Sequence, residues 1–142
     1  MNIAFFLIPK KEVAFIKYES TMRQALEKME YHGYSAVPLI NYEGKYMGTL
    51  TDGDLLSKLK NTPNFNFEST EKIWLKDIPL HKNFEAISIN SEMEDIILKS
   101  MEQNFVPVVD DNQIFIGIIR RREIIEYCAK SVLVSNHSEP FK

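Results

Sequence analysis

The sequence predicts a mixed α/β fold of the α+β type, built from two β-α-β-β-α repeats that are related by a pseudo-twofold axis. The first observation is a Val-Pro strand motif with a glycine ten residues after the proline, which recurs at an offset of 69 residues. The others are a helix-start motif that recurs at an offset of 71 and a repeated Ile-Pro step. The matched pairs are Pro38 and Gly48 with Pro107 and Gly117, Ser20-Thr-Met22 with Ser91-Glu-Met93, and Ile8-Pro9 with Ile78-Pro79. This period is too long for a solenoid, so we expect two halves with equivalent clefts at their junction.

The first repeat reads strand, helix, strand, turn, strand, helix. Ser20 or Thr21 can cap the first helix, and Thr51 can cap the second, because their hydroxyls accept backbone N–H groups. Pro38 has no N–H to pair, so its strand is expected at a sheet edge or a bulge. The predicted elements are a strand at 14–18, a helix from 22 with apolar residues at helical spacing, a strand at 35–40, a turn at 41–44, a strand at 45–50 and a helix at 52–59.

The second repeat follows the same order. Its predicted elements are a strand at 86–89, a helix at 93–101, a strand at 105–109, a turn at 110–112, a strand at 114–119 and a helix at 121–129. The connector at 61–70 is polar but contains Phe65 and Phe67, which we expect to pack on the body. Val132, Leu133 and Val134 extend the apolar surface and fit either a core cover or a dimer contact.

Two units are therefore predicted. Residues 1–67 form the first repeat with an N-terminal helix and the linker, and residues 68–142 form the second repeat with a polar C-terminal tail from residue 135. Neither half has many apolar residues to bury, so each is expected to pack on the other's sheet. The apolar run at 3–8 is too short to span a bilayer and lacks the flanks of a signal peptide, so it fits a first helix on the core.

Composition excludes several function classes. The 142 residues are 44% hydrophobic and carry a net charge of −3, which disfavours a broad nucleic-acid surface. Cys128 is the single cysteine and fits a reducing, cytoplasmic location. The three histidines lack metal-ligand spacing, no nucleophile is paired with a base, and no phosphate-binding loop motif is present. We therefore expect no metal, no cofactor, no membrane segment and no enzymatic activity.

The clearest difference between the repeats is the charge at the start of their last helices. Asp52 and Asp54 stand where the first repeat's helix dipole favours them, whereas the second repeat has Arg120, Arg121 and Arg122. A cation at a helix N-terminus destabilises the helix by about 0.3–1 kcal/mol. A bound anion would reverse this effect, and guanidinium groups bind phosphate well. The sequence therefore predicts phosphate binding by the three arginines. The alternative is a set of surface arginines paired with carboxylates such as that of Glu123.

The repeated unit resembles the CBS-domain pair, also called the Bateman module, over residues 5 to 130. The resemblance is carried by the Val-Pro strand, the glycine ten residues later and the segment Gly48-Thr-Leu-Thr51-Asp-Gly-Asp54. Four segments look in addition like the stand-alone bacterial CBS-pair proteins that bind cyclic di-AMP. They are Val13-Ala14, Gly33-Tyr-Ser-Ala-Val-Pro38, Asp77-Ile-Pro79 and Phe115-Ile-Gly-Ile-Ile-Arg-Arg-Arg122.

The resemblance implies a ligand site in the first repeat. Adenine would lie against the first strand and the Tyr-Ser-Ala segment, and a pair of arginines, here Arg121 and Arg122, would meet the phosphates. Tyr34 fits base stacking or simple packing, and Pro38 leaves backbone polar groups free for a base edge. One position departs from the group, because Glu12 stands in place of a lysine, with Lys10 and Lys11 beside it. The adenine-side candidates are Val13, Ala14, Tyr34, Ser35, Ala36 and Pro38.

A second nucleotide site is implied at Thr51 and Asp54. In CBS pairs an aspartate at this position holds ribose hydroxyls, and the base would lie near Ile87, Phe105 and Pro107 of the other copy. Helix capping explains Thr51 and Asp54 equally well. Glu123 is the equivalent residue in the arginine site and would serve a ribose there less well, because it is longer.

The expected function is non-enzymatic sensing of an adenine nucleotide, with cyclic di-AMP as the first choice and signalling to an unidentified protein target. The alternatives are an AMP, ADP or ATP sensor that uses Thr51 and Asp54, and a protein-interaction module with degenerate pockets. The resemblance also implies a flat homodimer formed through helices. The expected partners are therefore the nucleotide, a second copy and a protein target, without nucleic acid or membrane.

Overall fold

The computed structural model describes residues 2–138 and confirms two β-α-β-β-α repeats. The strands are β1 Ile8–Pro9, β2 Ile16–Lys17, β3 Ala36–Ile40, β4 Tyr46–Thr51, β5 Ile87–Ser88, β6 Phe105–Val109 and β7 Phe115–Arg120. The α-helices are α1 Met22–His32, α2 Asp52–Lys60, α3 Met93–Glu102 and α4 Arg121–Ser138. Single 3₁₀ turns lie at Ile3–Phe6, Lys10–Glu12, Phe67–Glu71 and Leu75–Asp77.

The strands form two sheets, with the orders β1-β7-β6-β5 and β2-β3-β4. In each repeat the short first strand runs parallel to the Val-Pro strand, which pairs antiparallel with the strand after it. Helix α1 begins at a capping box between Thr21 and Gln24, and α2 begins at one between Thr51 and Asp54. The sequence-predicted caps are therefore present, and they fix the first turn of each helix.

The two repeats exchange segments of chain. Strand β1 pairs with β7 of the second repeat, and Ile3 is buried in the second repeat's core. In return, Leu75 and Ile78 from the start of the second half are buried in the first repeat's core. The apolar run at 3–8 is thus a 3₁₀ turn followed by a strand, which corrects the predicted N-terminal helix. The physical reason is that β7 offers β1 an open edge.

This exchange explains the repeated glycine. A Cβ at Gly117 would lie 2.1 Å from the carbonyl oxygen of Ile8, and one at Gly48 would lie 2.6 Å from Cδ1 of Leu80. Both glycines also have positive φ angles, of 156° and 139°. Each glycine therefore makes room for the segment that arrives from the other half.

The structure corrects part of what the sequence predicts for Pro38 and for the two phenylalanines of the connector. Pro38 lies in β3, the middle strand of its sheet, so of the two predicted settings, a sheet edge or a bulge, the edge is wrong. It is tolerated there because β2 pairs only with Leu39 and Ile40, and β3 itself shifts register at those two residues. Phe65 packs on the first core as predicted, but Phe67 is exposed under the guanidinium group of Arg23.

The C-terminal helix is longer than the sequence predicts. Helix α4 continues past residue 129 to Ser138, so the first residues of the predicted tail are helical. Residues 139–142 of that tail lie outside the described part of the chain. The side chains of Val132, Leu133 and Val134 are exposed along α4. They therefore do not cover the core, and a contact at the surface is the interpretation that remains.

Candidate functional site

A cleft of about 360 Å³ lies between the two repeats. One wall comes from the segment before β2 and the start of β3, and it contains all six adenine-side candidates. The opposite wall comes from β1, β6, β7 and the start of α4, since β1 is paired with β7. The lining residues are Glu12, Val13, Ala14, Tyr34, Ser35, Ala36 and Pro38 on the first wall, and Ile8, Asn104, Phe105, Ile118, Arg120 and Arg122 on the second.

The first wall is positioned by the end of α1. Gly33 has a φ of 69°, a left-handed conformation that closes the helix, and the N–H of Tyr34 returns to the carbonyl of Met29 at 3.1 Å. The chain then enters β3, where the carbonyl of Ser35 accepts from the N–H of Asp52 at 2.9 Å. Tyr34 is consequently held at the cleft mouth with half of its side-chain surface exposed.

The structure separates the three arginines. Arg120 and Arg122 line the cleft, and each pairs with a carboxylate of α4, namely Glu123 and Glu126. Arg121 points elsewhere, and its Nε donates to the carbonyls of Ser100 at 2.7 Å and Gln103 at 3.1 Å. Arg121 therefore ties the start of α4 to the end of α3. The sequence predicts one phosphate receptor from all three arginines. Arg120 ends β7 and α4 begins at Arg121, and within α4 the side chains of Arg121 and Arg122 point about 100° apart, so Arg121 does not share the direction of Arg122.

Glu12 introduces a carboxylate into the cleft wall, at the position where the resemblance implies a lysine. The neighbouring Lys10 does not line the cleft, since its Nζ lies over the ring of Phe15, 5.1 Å from the centroid. Lys11 is exposed and is likewise absent from the cleft lining. Neither neighbouring lysine therefore contributes a positive charge to the cleft lining, and the carboxylate of Glu12 is the charge that this segment supplies.

Asp54 is fully buried, with no exposed side-chain surface. Its Oδ2 accepts from the N–H of Thr51, and its Oδ1 accepts from both the N–H and the Nδ1 of His81, each at 2.9 Å. Burial alone would raise the pKa of Asp54, but these hydrogen bonds outweigh burial and hold that pKa below the usual range of an aspartate. Both carboxylate oxygens are therefore occupied by protein donors. Nothing in the spacing of the sequence signals the contact with His81.

The four candidates for a second site are not brought together. Thr51 borders a separate polar cavity of about 320 Å³, whereas Phe105 lines the first cleft and Pro107 is buried in β6. Phe84 reaches the same polar cavity and lies against Phe105, with ring centroids 5.1 Å apart. The polar cavity is lined by Ser35, Ala36, Thr51, Asp52, Lys82, Phe84, Glu102, Asn104 and Arg121.

Three members of the cleft were not identified as candidates from the sequence: Ile8, Asn104 and Ile118. Asn104 could have been found, because it is the counterpart of Ser35 at the repeat offset of 69 residues. Ile8 could not, since its place in the cleft depends on the exchange of β1 into the second sheet.

An apolar groove of about 740 Å³ runs between α3 and α4. Met101 at its edge is 75% exposed, and Ile125, Val132 and Leu133 are exposed as well. The groove is lined by Ile97, Ser100, Met101, Arg121, Ile124, Ile125, Cys128, Ala129, Val132 and Leu133.

Among residues 2–138 no group of acidic, histidine and cysteine side chains could hold a metal ion, and no described helix is long and apolar enough to cross a membrane.

Comparison with protein families matches the CBS domain to residues 7–61 and again to residues 75–130. Among curated proteins, cyclic di-AMP receptor B of Bacillus subtilis (strain 168) is 22% identical over 131 residues, covering 92% of this chain and 88% of the receptor. The crystal structure of CbpB in complex with c-di-AMP superposes with a TM-score of 0.85 at 22% identity, covering 98% of this chain and 91% of that one. CBSX2 in complex with AMP superposes with a TM-score of 0.70 at 21% identity, covering 91% and 96%. These likenesses in structure establish the fold.

Proposed function

The chain belongs to the CBS-domain family, and from that premise we propose that it is a non-enzymatic sensor of adenine nucleotides. The preferred ligand is cyclic di-AMP, bound in the cleft between the repeats. Binding then changes the relative placement of the repeats or of the helices, and this change is passed to a protein target.

The observation that carries the proposal is the chemical contrast between the two walls of the cleft. Val13, Ala14 and Pro38 offer an apolar surface beside the ring of Tyr34, which suits the flat face of a purine. On the far wall, a phosphate can draw Arg122 away from Glu126, because that exposed pair is worth only about 0.3–0.5 kcal/mol. An apolar slot with cations at one end is what a nucleotide requires.

Two of the similar proteins support the choice of ligand. The Bacillus subtilis relative is a cyclic di-AMP receptor, and the CbpB structure contains c-di-AMP. The alternative of a mononucleotide sensor is favoured by Glu12, whose carboxylate repels additional phosphate, and by the likeness to CBSX2 in complex with AMP. That alternative uses the same first cleft more readily than Thr51 and Asp54, since Asp54 is buried beneath His81. A protein-interaction module is the remaining alternative, and the paired state of Arg120 and Arg122 favours it.

We also propose that the protein is a cytoplasmic homodimer. The apolar groove between α3 and α4 exposes large side chains, among them Met101, Ile125 and Leu133, over a continuous surface. Contiguous exposed apolar surface of this kind marks interaction sites in soluble proteins. A second copy can cover it, and Val134 of α4, which is exposed and does not line the groove, is then available to the protein target.

Isothermal titration calorimetry with cyclic di-AMP, cyclic di-GMP, AMP, ATP and S-adenosylmethionine tests the proposal. We expect cyclic di-AMP to bind and cyclic di-GMP, which has the same charge, to bind at least tenfold more weakly. Binding of AMP or ATP without binding of either dinucleotide would establish the mononucleotide alternative. Binding of none of the five ligands would leave the interaction module as the function.

A further inference from the structure

Three aromatic rings stand in a row at the end of α1, beside the proposed ligand cleft. The rings of His32 and Tyr34 are nearly parallel, with an interplanar angle of 6° and centroids 5.5 Å apart. Tyr31 meets the ring of His32 edge-on, at 88° and 5.0 Å. Of the three, only Tyr34 lines the cleft. Because His32 stacks on Tyr34 and does not line the cleft, a ligand in the cleft would contact the tyrosine but not the histidine.

The row is produced by the turn that ends α1. Gly33 adopts its positive φ although a Cβ at that position would meet nothing within 4 Å. Glycine is therefore needed for the backbone conformation and not for space. The left-handed residue reverses the chain between positions 32 and 34, so the two side chains lie on the same side and their rings stack.

We propose that His32 is a positioning residue, which stacks on the outer face of Tyr34 and holds that ring as one wall of the base slot. This inference rests on the proposed nucleotide function. An exposed tyrosine that is free to rotate must be ordered when a base stacks on it, and this ordering weakens binding. A ring already stacked on His32 is ordered before the ligand arrives.

The test is a double-mutant cycle on His32 and Tyr34, measured by calorimetry with cyclic di-AMP. Aromatic stacking energies predict that His32→Ala weakens binding by about three- to tenfold. His32→Phe keeps a flat ring and is expected to retain the wild-type affinity. In a Tyr34→Ala background, His32→Ala should have no further effect, because its influence passes through the tyrosine. Tyr42→Ala removes an exposed aromatic ring remote from the cleft lining and serves as the matched control.

A second readout needs no ligand. Stacking on His32 shifts the NMR signals of the Tyr34 ring through ring currents, and we expect the shift to be lost in His32→Ala and kept in His32→Phe. Wild-type protein that binds none of the nucleotides overturns the proposed function, while the ring-current result still decides whether the stack orders Tyr34. If the wild-type protein binds cyclic di-AMP and His32→Ala binds it with unchanged affinity, the positioning role of His32 is refuted. Equal weakening in His32→Ala and His32→Phe also overturns it, because a flat ring would then not be sufficient.

Discussion

Arg121 and Arg122 are neighbours in sequence, and the structure gives them opposite tasks. Arg122 lines the cleft with 84% of its side chain exposed, whereas Arg121 donates to two carbonyls at the end of α3. We therefore predict that Arg122→Ala weakens cyclic di-AMP binding without destabilising the fold. Arg121→Ala should do the reverse, and each variant is the matched control for the other.

The expected size of the first effect follows from the contacts. A guanidinium hydrogen bond to a charged phosphate contributes about 1.5–3 kcal/mol. Arg122 must first leave Glu126, which costs about 0.3–0.5 kcal/mol for an exposed helical pair. The net loss in Arg122→Ala is about 1–2.5 kcal/mol, or roughly 5- to 70-fold in affinity. Folding should change little, because losing the Glu126 pair is offset by removing a cation from a helix N-terminus.

The second effect is a loss of fold stability. The Nε of Arg121 makes a charge-assisted hydrogen bond to the carbonyl of Ser100, and such bonds contribute about 1.5–3 kcal/mol. For a chain of this length, about 1 kcal/mol corresponds to a shift of roughly 3–5 °C in Tm. We therefore expect the Tm of Arg121→Ala to fall by roughly 5–15 °C. Its affinity below the unfolding transition should stay within about twofold of wild type.

Calorimetry at two salt concentrations and thermal unfolding of both variants measure the contrast. The wild-type affinity should fall as salt rises, and that dependence should be weaker in Arg122→Ala. If Arg121→Ala loses affinity and Arg122→Ala keeps it, the assignment of the two side chains is reversed in solution. If the wild-type protein binds cyclic di-AMP and neither variant changes the affinity, the proposal that this part of α4 contacts a phosphate is wrong.

Three further outcomes are expected. Asp54→Asn should lower the free energy of unfolding at pH 7 by about 2–3 kcal/mol. Because the pKa of Asp54 is lower in the folded protein than in the unfolded chain, this stabilisation is lost as the pH falls through the folded pKa. Urea unfolding should therefore show the two proteins converging in acid, and a difference that stays constant with pH would contradict the prediction. Glu12→Lys should tighten cyclic di-AMP binding by about 1 kcal/mol, with Glu30→Lys on the exposed face of α1 as the control; a flat calorimetric result would mean that Glu12 does not face the phosphates. Light scattering at high micromolar concentration should show a wild-type dimer and an Ile125→Asp monomer, with Leu98→Asp outside the groove unchanged, and a monomeric wild type would refute the dimer.

Much of the fold could be predicted because its signals are local or repeated. Apolar spacing and capping hydroxyls located α1 and α2, since a helix begins where a residue such as Thr21 or Thr51 can accept a backbone N–H. The offset of 69 residues predicted that β3 and β6 are equivalent strands, and both are inner strands of their sheets.

The errors in the candidate site arose where the chain makes contacts across a long sequence distance. The sequence leaves Asp54 open as a ribose ligand or a helix cap; the structure shows the cap, together with a contact to His81, which lies 27 residues away and is connected to Asp54 by no periodic pattern. Phe105 was assigned to the second site although it lines the first, because the sequence shows that a residue lies in a Val-Pro strand but not which cleft its side chain enters. Arg121 was grouped with its neighbours because adjacency in sequence does not show direction around a helix.

The exchange of segments between the halves has a consequence for how the protein folds. Without β1 and Ile3, the second half lacks an edge strand and a core residue, and without Leu75 and Ile78 the first half lacks two core residues. Neither half is then a complete cooperative unit, although each contains one whole copy of the repeated motif. We expect both halves to unfold in a single transition. We also expect folding to include a slow step, because β1 must pair with β7, which is distant in sequence. A gene fragment that encodes one copy alone should therefore yield an aggregation-prone chain, despite carrying every residue of its own motif.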